Sequence, residues 1–229
     1  MKKALIVWGG WPGHDPETIA NRFKKILEND SFEVELSNEL SSYEDAEKLK
    51  TLDLIVPYFT GGEITWEQVC GVRAAVSSGV GLAGPHCGLA DCFRTSVEWQ
   101  MMTGVQWIAV PGADKVEYTV NIRKNASSPI VFGIDDFQVT SEQYYVHIDP
   151  SINVLATTRF PIADGDHAAN GFFDMPVVFT KLWGKGRVFY NSLGHSDDMY
   201  DKYPAMAEIT RRGFLWAAEG KAIAAASAK

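Results

Sequence analysis

The pattern with the most chemical content is Gly-x-His-x-Gly at residues 84–88, where His86 stands between two glycines. The apolar run before it, residues 80–83, is too short for a helix and favours a buried central strand. Small residues around a tight turn at a strand end leave room for one side chain to project. We expect His86 to project as an acid–base group, with a stability cost of about 1 kcal/mol or less for His86→Ala. The alternative is an imidazole that bonds only to its own turn.

Four further polar residues follow predicted strands: His14, Thr60, Asp91 and His195. Ligands of an open α/β sheet bind beyond the carboxyl ends of its strands, so these side chains are expected to share one crevice with His86. We predict catalytic roles for Asp91 and His195, and substrate-binding roles for His14 and Thr60. Simpler alternatives stay open: a mobile glycine-rich turn at His14, a helix cap at Asp91 and backbone hydrogen bonds at His195.

Glu142 is a single carboxylate in a segment rich in predicted strands, where such side chains are usually solvated. The catalytic interpretation is that Glu142 sets the tautomer of one acid–base histidine, His86 or His195. Trp11 and Tyr144 are expected to contact the apolar faces of a sugar.

A variant of this interpretation places a divalent ion among four residues: His14, His86, Glu142 and His195. Nitrogen and carboxylate ligands suit zinc, manganese or iron. No two of these residues have the short spacing of an H-x-x-x-H pair, however. We therefore predict an acid–base site without a metal and leave any cofactor open.

Cys87 is a candidate nucleophile, but it lies one residue from the centre of the glycine-flanked pattern. Reading Cys87 as the centre would put Pro85 and Leu89 where the small residues belong. We assign this thiol to packing and expect Cys87→Ser to leave activity largely intact. The chain has three cysteines and no C-x-x-C pair, so neither a cysteine metal site nor a disulfide framework is predicted.

The elements that must position these residues are apolar strands alternating with helical spacing. Strands are predicted at 4–8, 32–36, 52–59 and 80–83. One helix is expected to start at Pro16 with Asp15 as its cap, and a second to run over 65–78 with Trp66 on its apolar face. This alternation is typical of parallel βαβ units in a doubly wound sheet.

After residue 104 the pattern changes to short strands separated by turns, with a hairpin around the Trp-Gly-Lys-Gly turn at 183–186 and a final helix over 204–218. The prediction is a flavodoxin-like α/β fold with a β-rich C-terminal insertion. We expect one domain over residues 1–220 and a frayed, alanine-rich tail over 221–229.

The chain of 229 residues carries a net charge of −8 and has no basic run, which argues against a nucleic-acid or anionic-membrane partner. No apolar segment reaches 18 residues, so no membrane span is predicted. We expect a cytoplasmic protein that binds a small molecule, with assembly into a homo-oligomer left open.

Several motifs in order resemble the ThuA-like (trehalose utilisation) family of the class I glutamine amidotransferase-like superfamily. They are the glycine loop with His14, Gly84-Pro85-His86-x-x-x-x-Asp91, Glu142-Gln-Tyr-Tyr, Leu193-Gly194-His195 and Arg212-Gly-x-x-x-Trp216. The resemblance covers nearly the full length and implies a flavodoxin-like fold and a link to carbohydrate catabolism. It also implies the amidotransferase scaffold without its cysteine, and site positions at His86, Asp91, Glu142, Tyr144 and His195.

One departure concerns Val110, which stands where the family commonly has a histidine before a proline-glycine pair. Two functions stay open. The first is a hydrolase or lyase that acts on a sugar or an oxidised (keto) disaccharide by histidine acid–base chemistry, without amidotransferase activity. The second is a non-catalytic sugar- or metabolite-binding regulatory protein on the same scaffold.

Overall fold

The computed structural model describes residues 1–226. Eleven strands lie in this part of the chain: β1 (Lys2–Gly10), β2 (Phe32–Ser37), β3 (Leu54–Thr60), β4 (Gly81–Pro85), β5 (Val105–Ala109), β6 (Val116–Ile122), β7 (Phe137–Ser141), β8 (Tyr145–Ile148), β9 (Asn153–Phe160), β10 (Phe173–Trp183) and β11 (Gly186–Asn191). The α-helices there are α1 (Pro16–Asn29), α2 (Ala46–Thr51), α3 (Trp66–Ser78), α4 (Cys87–Ala90), α5 (Val97–Thr103), α6 (Met199–Lys202), α7 (Pro204–Ala218) and α8 (Gly220–Ala226).

Nine strands form one central sheet in the order β2-β1-β3-β4-β11-β10-β9-β6-β7. The first five strands of this order are parallel, and the remaining four continue antiparallel. All five residues of β4 are buried, which explains its continuous apolar sequence. The predicted central position of β4 is therefore confirmed, and β2 lies at one edge of the sheet.

Helices cover both faces of the sheet, because successive residues of a strand point to opposite sides. Ile6 of β1 packs in a core with Phe23 of α1 and Phe214 of α7. Its neighbour Leu5 packs in the opposite core with Val72 of α3. Each fully buried side chain of this size stabilises the fold by about 1.5–3 kcal/mol. This mixed α/β architecture is compatible with the predicted flavodoxin-like fold.

The β-rich segment, residues 105–183, extends the central sheet and precedes its last parallel strand. The predicted hairpin is present, since β10 and β11 pair antiparallel up to Trp183 and Gly186. Outside the central sheet, β5 and β8 form a two-stranded ribbon. Val105 and Val146 anchor this ribbon in the same core as α3. The ribbon therefore lies over the face of the sheet that β4 presents to α3.

Two predictions about helix starts are wrong in detail. Asp15 precedes α1, but its φ of 43° is left-handed, and its side chain makes no capping hydrogen bond. An N-cap side chain reaches the first turn from an extended backbone, which Asp15 does not have. Trp66 is 65% exposed, because it occupies the first position of α3 ahead of the turns that pack on the sheet.

The expected frayed tail is replaced by α8 over Gly220–Ala226, and residues 227–229 lie outside the described residues. The Lys221 ammonium donates to the backbone carbonyls of Thr51 and Leu52, which ties this helix to the end of α2. No helix within residues 1–226 is long and apolar enough to cross a membrane.

Candidate functional site

The turn after β4 has the predicted tight geometry around His86, and we refer to residues 84–88 as the elbow. His86 has φ 52° and ψ −118°, a sparsely populated conformation for a residue with a Cβ, which costs about 1–3 kcal/mol. A Cβ on Gly88 would lie 2.2 Å from the carbonyl oxygen of Pro57, and one on Gly84 would lie 2.7 Å from Leu89. Both glycines are therefore required by close packing around His86.

The imidazole of His86 does not project into solvent, which corrects the expectation from the sequence. It is fully buried, with Nδ1 2.9 Å from the carbonyl oxygen of Ser192 and Nε2 2.9 Å from the hydroxyl of Tyr144. Ser192 follows β11 and Tyr144 precedes β8, so two segments distant in sequence close over the elbow. Tyr144 is itself buried, and its contact with a sugar stays a prediction.

His14 lies in a short 3-10 helix after β1 and is buried, so the mobile surface turn is excluded. Its Nδ1 is 2.7 Å from the hydroxyl oxygen of Thr60, the last residue of β3. The parallel pairing of Gly10 with Thr60 brings these two strand ends together. His14 Nε2 is thereby turned toward the centre of the site.

His195 follows β11 in a loop that Tyr58 secures by donating its hydroxyl to the carbonyl of Gly194 at 3.2 Å. The His195 side chain is 20% exposed. Its Nδ1 is buried and has no hydrogen-bond partner among residues 1–226. The alternative in which His195 only bonds to backbone groups after the hairpin does not hold for Nδ1, because this buried atom faces the cluster.

Glu142 is the centre of the cluster and not the solvated carboxylate that its sequence context suggests. Its side chain is 13% exposed, and its Oε2 lies 3.2 Å from His86 Nε2, 3.3 Å from His195 Nδ1 and 3.8 Å from His14 Nε2. One atom from each of the four residues lies within 4.8 Å of the other three. We refer to His14, His86, Glu142 and His195 as the four-residue cluster.

The electrostatics of the cluster follow from burial and from the carboxylate. Burial lowers the pKa of His86 to about 4, although Glu142 opposes this effect. Burial alone would raise the pKa of Glu142, but the three imidazoles outweigh it and hold that pKa well below its usual range. The adjacent Glu142 raises the pKa of His195 against the opposing effect of burial.

Asp91 lies at the end of α4 and is buried beside the cluster. Its carboxylate pairs with Arg94, whose guanidinium lies 4.2 Å from the ring centroid of Trp107. Burial raises the pKa of Asp91, and the Arg94 pairing opposes this shift. The next helix, α5, is capped by the side chain of Ser96. The alternative of Asp91 as the cap of that helix is therefore wrong.

A cavity of about 220 Å³ opens onto the cluster. It is lined by residues from both halves of the sheet: Trp11, His14, Thr60, Gly61, Asp91, Arg94, Trp107, Glu142 and Tyr144. Trp11 is 54% exposed at the rim, with its ring centroid 4.9 Å from that of His14. A larger cavity of about 440 Å³, lined by residues within 122–136, contains no histidine or cysteine.

Arg94, Trp107 and the Ser192 carbonyl belong to the site but were not among the residues that the sequence singles out. Arg94 carries a weak signal, since it follows Asp91 by three residues and can pair with it across one turn. Trp107 reads as an ordinary strand residue. His147 is exposed on β8, and neither His147 nor His167 belongs to the cluster.

The chain from residue 3 to 217 matches the family model described as trehalose utilisation, ThuA. The chain belongs to the ThuA family. Membership implies a carbohydrate function related to trehalose utilisation. None of the curated proteins compared with the chain matches it significantly.

Solved structures agree with this assignment of the ThuA-family chain. A putative ThuA-like protein from Bacteroides uniformis ATCC 8492 is 18% identical with a TM-score of 0.75, covering 94% of this chain and 91% of its own. One from Parabacteroides merdae ATCC 43184 is 22% identical with a TM-score of 0.72, covering 96% and 91%. A cytoplasmic protein from Salmonella typhimurium LT2 is 14% identical with a TM-score of 0.64, covering 96% and 99%. At these identities the likeness concerns the fold.

Two features of this ThuA-family chain limit its chemistry. Cys87 is fully buried, and burial raises the pKa of its thiol to about 12, which disfavours a thiolate at neutral pH. Val110, in the position of the family histidine, packs against the apolar core on the α3 side. The catalytic roles of the four-residue cluster and Asp91 stay predictions.

Proposed function

We propose that this ThuA-family protein is an enzyme that acts on a sugar or an oxidised (keto) disaccharide at the four-residue cluster. The observation that carries the proposal is the convergence of three imidazoles on one buried carboxylate beside a cavity. Buried titratable groups that converge in a cavity are costly for folding and are typical of catalytic sites.

The walls of the cavity suit a sugar ring. Trp11 at the rim and Trp107 inside line the cavity with aromatic rings, and such rings pack well on the apolar face of a pyranose. Asp91, Thr60 and Glu142 supply acceptors for hydroxyl groups. The volume of about 220 Å³ is below the ~300–1,000 Å³ of most ligand pockets. We therefore infer that one ring enters the cavity and a second ring stays at the rim.

Proton transfer is the reaction that the residues support best. A keto group acidifies the adjacent C–H, so a base can remove that proton while the electron pair forms a C=C bond. The glycosidic C–O bond on the next carbon then breaks, and the departing oxygen takes a proton from an acid. We assign removal of the C–H proton to the Asp91 carboxylate, and protonation of the departing oxygen to His195 with Glu142. His86, whose inward nitrogen contacts Tyr144, acts as a positioning residue.

The test is turnover of a disaccharide and its keto derivative by the purified full chain, followed by mass spectrometry. We expect cleavage of the keto substrate, and a loss of about 10²-fold or more in His195→Ala. His147→Ala, an exposed histidine on the adjacent ribbon, is the matched control and should retain full activity. Saturable sugar binding without turnover would instead establish the non-catalytic binding protein.

A further inference from the structure

We propose that the four-residue cluster is a binding site for one divalent transition-metal ion. The inference deepens the proposed function, because the ion would occupy the same site, but its geometric support is independent of any reaction. It also departs from the sequence, in which the four residues are too far apart to form a short-spaced ligand pair.

The distances suit a metal without large rearrangement. Ions of this class lie about 2.0–2.3 Å from nitrogen and oxygen ligands, which separates neighbouring ligand atoms by roughly 3–4.5 Å. The three imidazole nitrogens lie 3.2, 3.3 and 3.8 Å from Glu142 Oε2, and all four atoms lie within 4.8 Å of one another. The ligand atoms are thus already gathered around one point.

The tautomer of His86 favours a cation between His86 and Glu142. A backbone carbonyl can only accept, so the hydrogen bond to Ser192 O puts the proton of neutral His86 on Nδ1. His86 Nε2 then carries a lone pair, and it faces the equally electron-rich Oε2 of Glu142 at 3.2 Å. Two acceptors in contact repel each other unless a positive charge lies between them. A metal ion supplies that charge, with the hydroxyl of Tyr144 giving up its contact with Nε2.

Two further observations point to the same place. His195 Nδ1 is buried without a hydrogen-bond partner in the described part of the chain, and it is aimed at Glu142. His14 is oriented by the bond between its Nδ1 and the hydroxyl of Thr60, which leaves Nε2 directed inward. Metal-bound histidines are typically held in this way, with the outer ring nitrogen fixed by a carbonyl or another oxygen.

The donor set selects the class of ion. Three imidazole nitrogens and one carboxylate suit zinc, manganese or ferrous iron, whereas magnesium and calcium prefer sites built from oxygen. An ion held there would occupy the inward nitrogens of all three histidines. Proton transfer in the loaded protein would then fall to Tyr144 and Asp91, which line the same cavity.

The experiment uses full-length protein stripped with EDTA and titrated by calorimetry with Zn²⁺, Mn²⁺ and, as a control ion, Mg²⁺. We expect one Zn²⁺ or Mn²⁺ per chain and a much weaker response to Mg²⁺. Glu142→Gln and His195→Ala should weaken binding by at least about 10–100-fold, while His147→Ala should bind as the wild type does. Circular dichroism checks that each variant is folded.

Equal binding by the wild type and His195→Ala, or no binding above the Mg²⁺ response, would overturn the metal site. Turnover assayed in parallel separates the two proposals. Full activity in stripped protein that binds no metal rejects the ion and leaves the proposed enzyme standing. Stoichiometric metal binding without turnover of any sugar supports the ion and rejects the proposed enzyme.

Discussion

The parallel and antiparallel halves of the sheet contribute to the site in different ways. The parallel half supplies His14, His86 and His195, each from the end of a strand or the loop after it. The antiparallel half and its ribbon supply Glu142 and Tyr144, which close over the histidines. The parallel half therefore places three imidazoles at the carboxyl ends of its strands, and the antiparallel half covers them to form a buried site.

The largest expected effect comes from removing the contribution of the antiparallel half. Glu142→Gln keeps the size of the side chain but removes its charge, so turnover of the keto substrate should fall about 10²–10⁴-fold. The matched control is Glu117→Gln, an exposed carboxylate on β6 of the same half, which should have no effect. Initial rates measure both. Equal rates for the two variants would show that the antiparallel half only covers the site.

The next effect tests how strongly the two halves depend on each other. His86→Ala removes a fully buried ring and leaves the carbonyl of Ser192 and the hydroxyl of Tyr144 unpaired. Unpaired buried groups cost about 1–3 kcal/mol each, so we expect a loss of about 3 kcal/mol in the free energy of unfolding. Chemical denaturation of the variant measures it. A loss of about 1 kcal/mol or less would contradict the buried position of His86 and support the projecting side chain expected from the sequence.

A smaller effect concerns the ion pair that fixes the turn after β8 to β10. The hydrogen bond from Lys181 lowers the pKa of Asp149 from 3.8 to about 2. A lowered pKa stabilises the fold above pH ~4, and this contribution disappears as the pH falls toward 2. Asp149→Asn should therefore cost about 1 kcal/mol at pH 6, after discounting for solvent, and almost nothing near pH 2. Denaturant titrations across this range measure the difference, and a pH-independent cost would contradict it.

The smallest effect is expected from the thiols of the parallel half. Cys87 and Cys92 are buried, whereas Cys70 on α3 is half-buried and serves as the internal control. Iodoacetamide at neutral pH should label Cys70 first and leave Cys87 unmodified in the folded protein. Peptide mapping by mass spectrometry gives the order. Rapid labelling of Cys87 would contradict this order and indicate a reactive thiolate next to His86.

The same two halves explain how much the sequence could predict. Apolar runs and glycine or proline boundaries are local signals, so β1, β4, the β10–β11 hairpin and α7 were predicted close to their observed positions. The histidines at the strand ends follow from the topology of parallel sheets. Their catalytic roles stay predictions.

The burial of His86 and the central position of Glu142 could not be predicted, because they depend on contacts between distant segments. Tyr144 lies 58 residues from His86 along the chain, and Ser192 lies 106 residues away. No local pattern reports that the residues between β7 and β8 fold back over β4. Trp107 was missed for the same reason, since its contact with Arg94 depends on where the β5–β8 ribbon lies.

The pairing of β4 with β11 also bears on when the site forms during synthesis. β3 pairs with one side of β4, but on the other side Leu82 pairs with Val188, a neighbour that the ribosome adds more than 100 residues later. Contacts that close such long loops form slowly. The nascent chain therefore carries His14 and His86 without a finished site until β11 has emerged. Pulsed hydrogen exchange during refolding should show the β4 amides on the β11 side becoming protected together with those of β11, and their earlier protection would contradict this order.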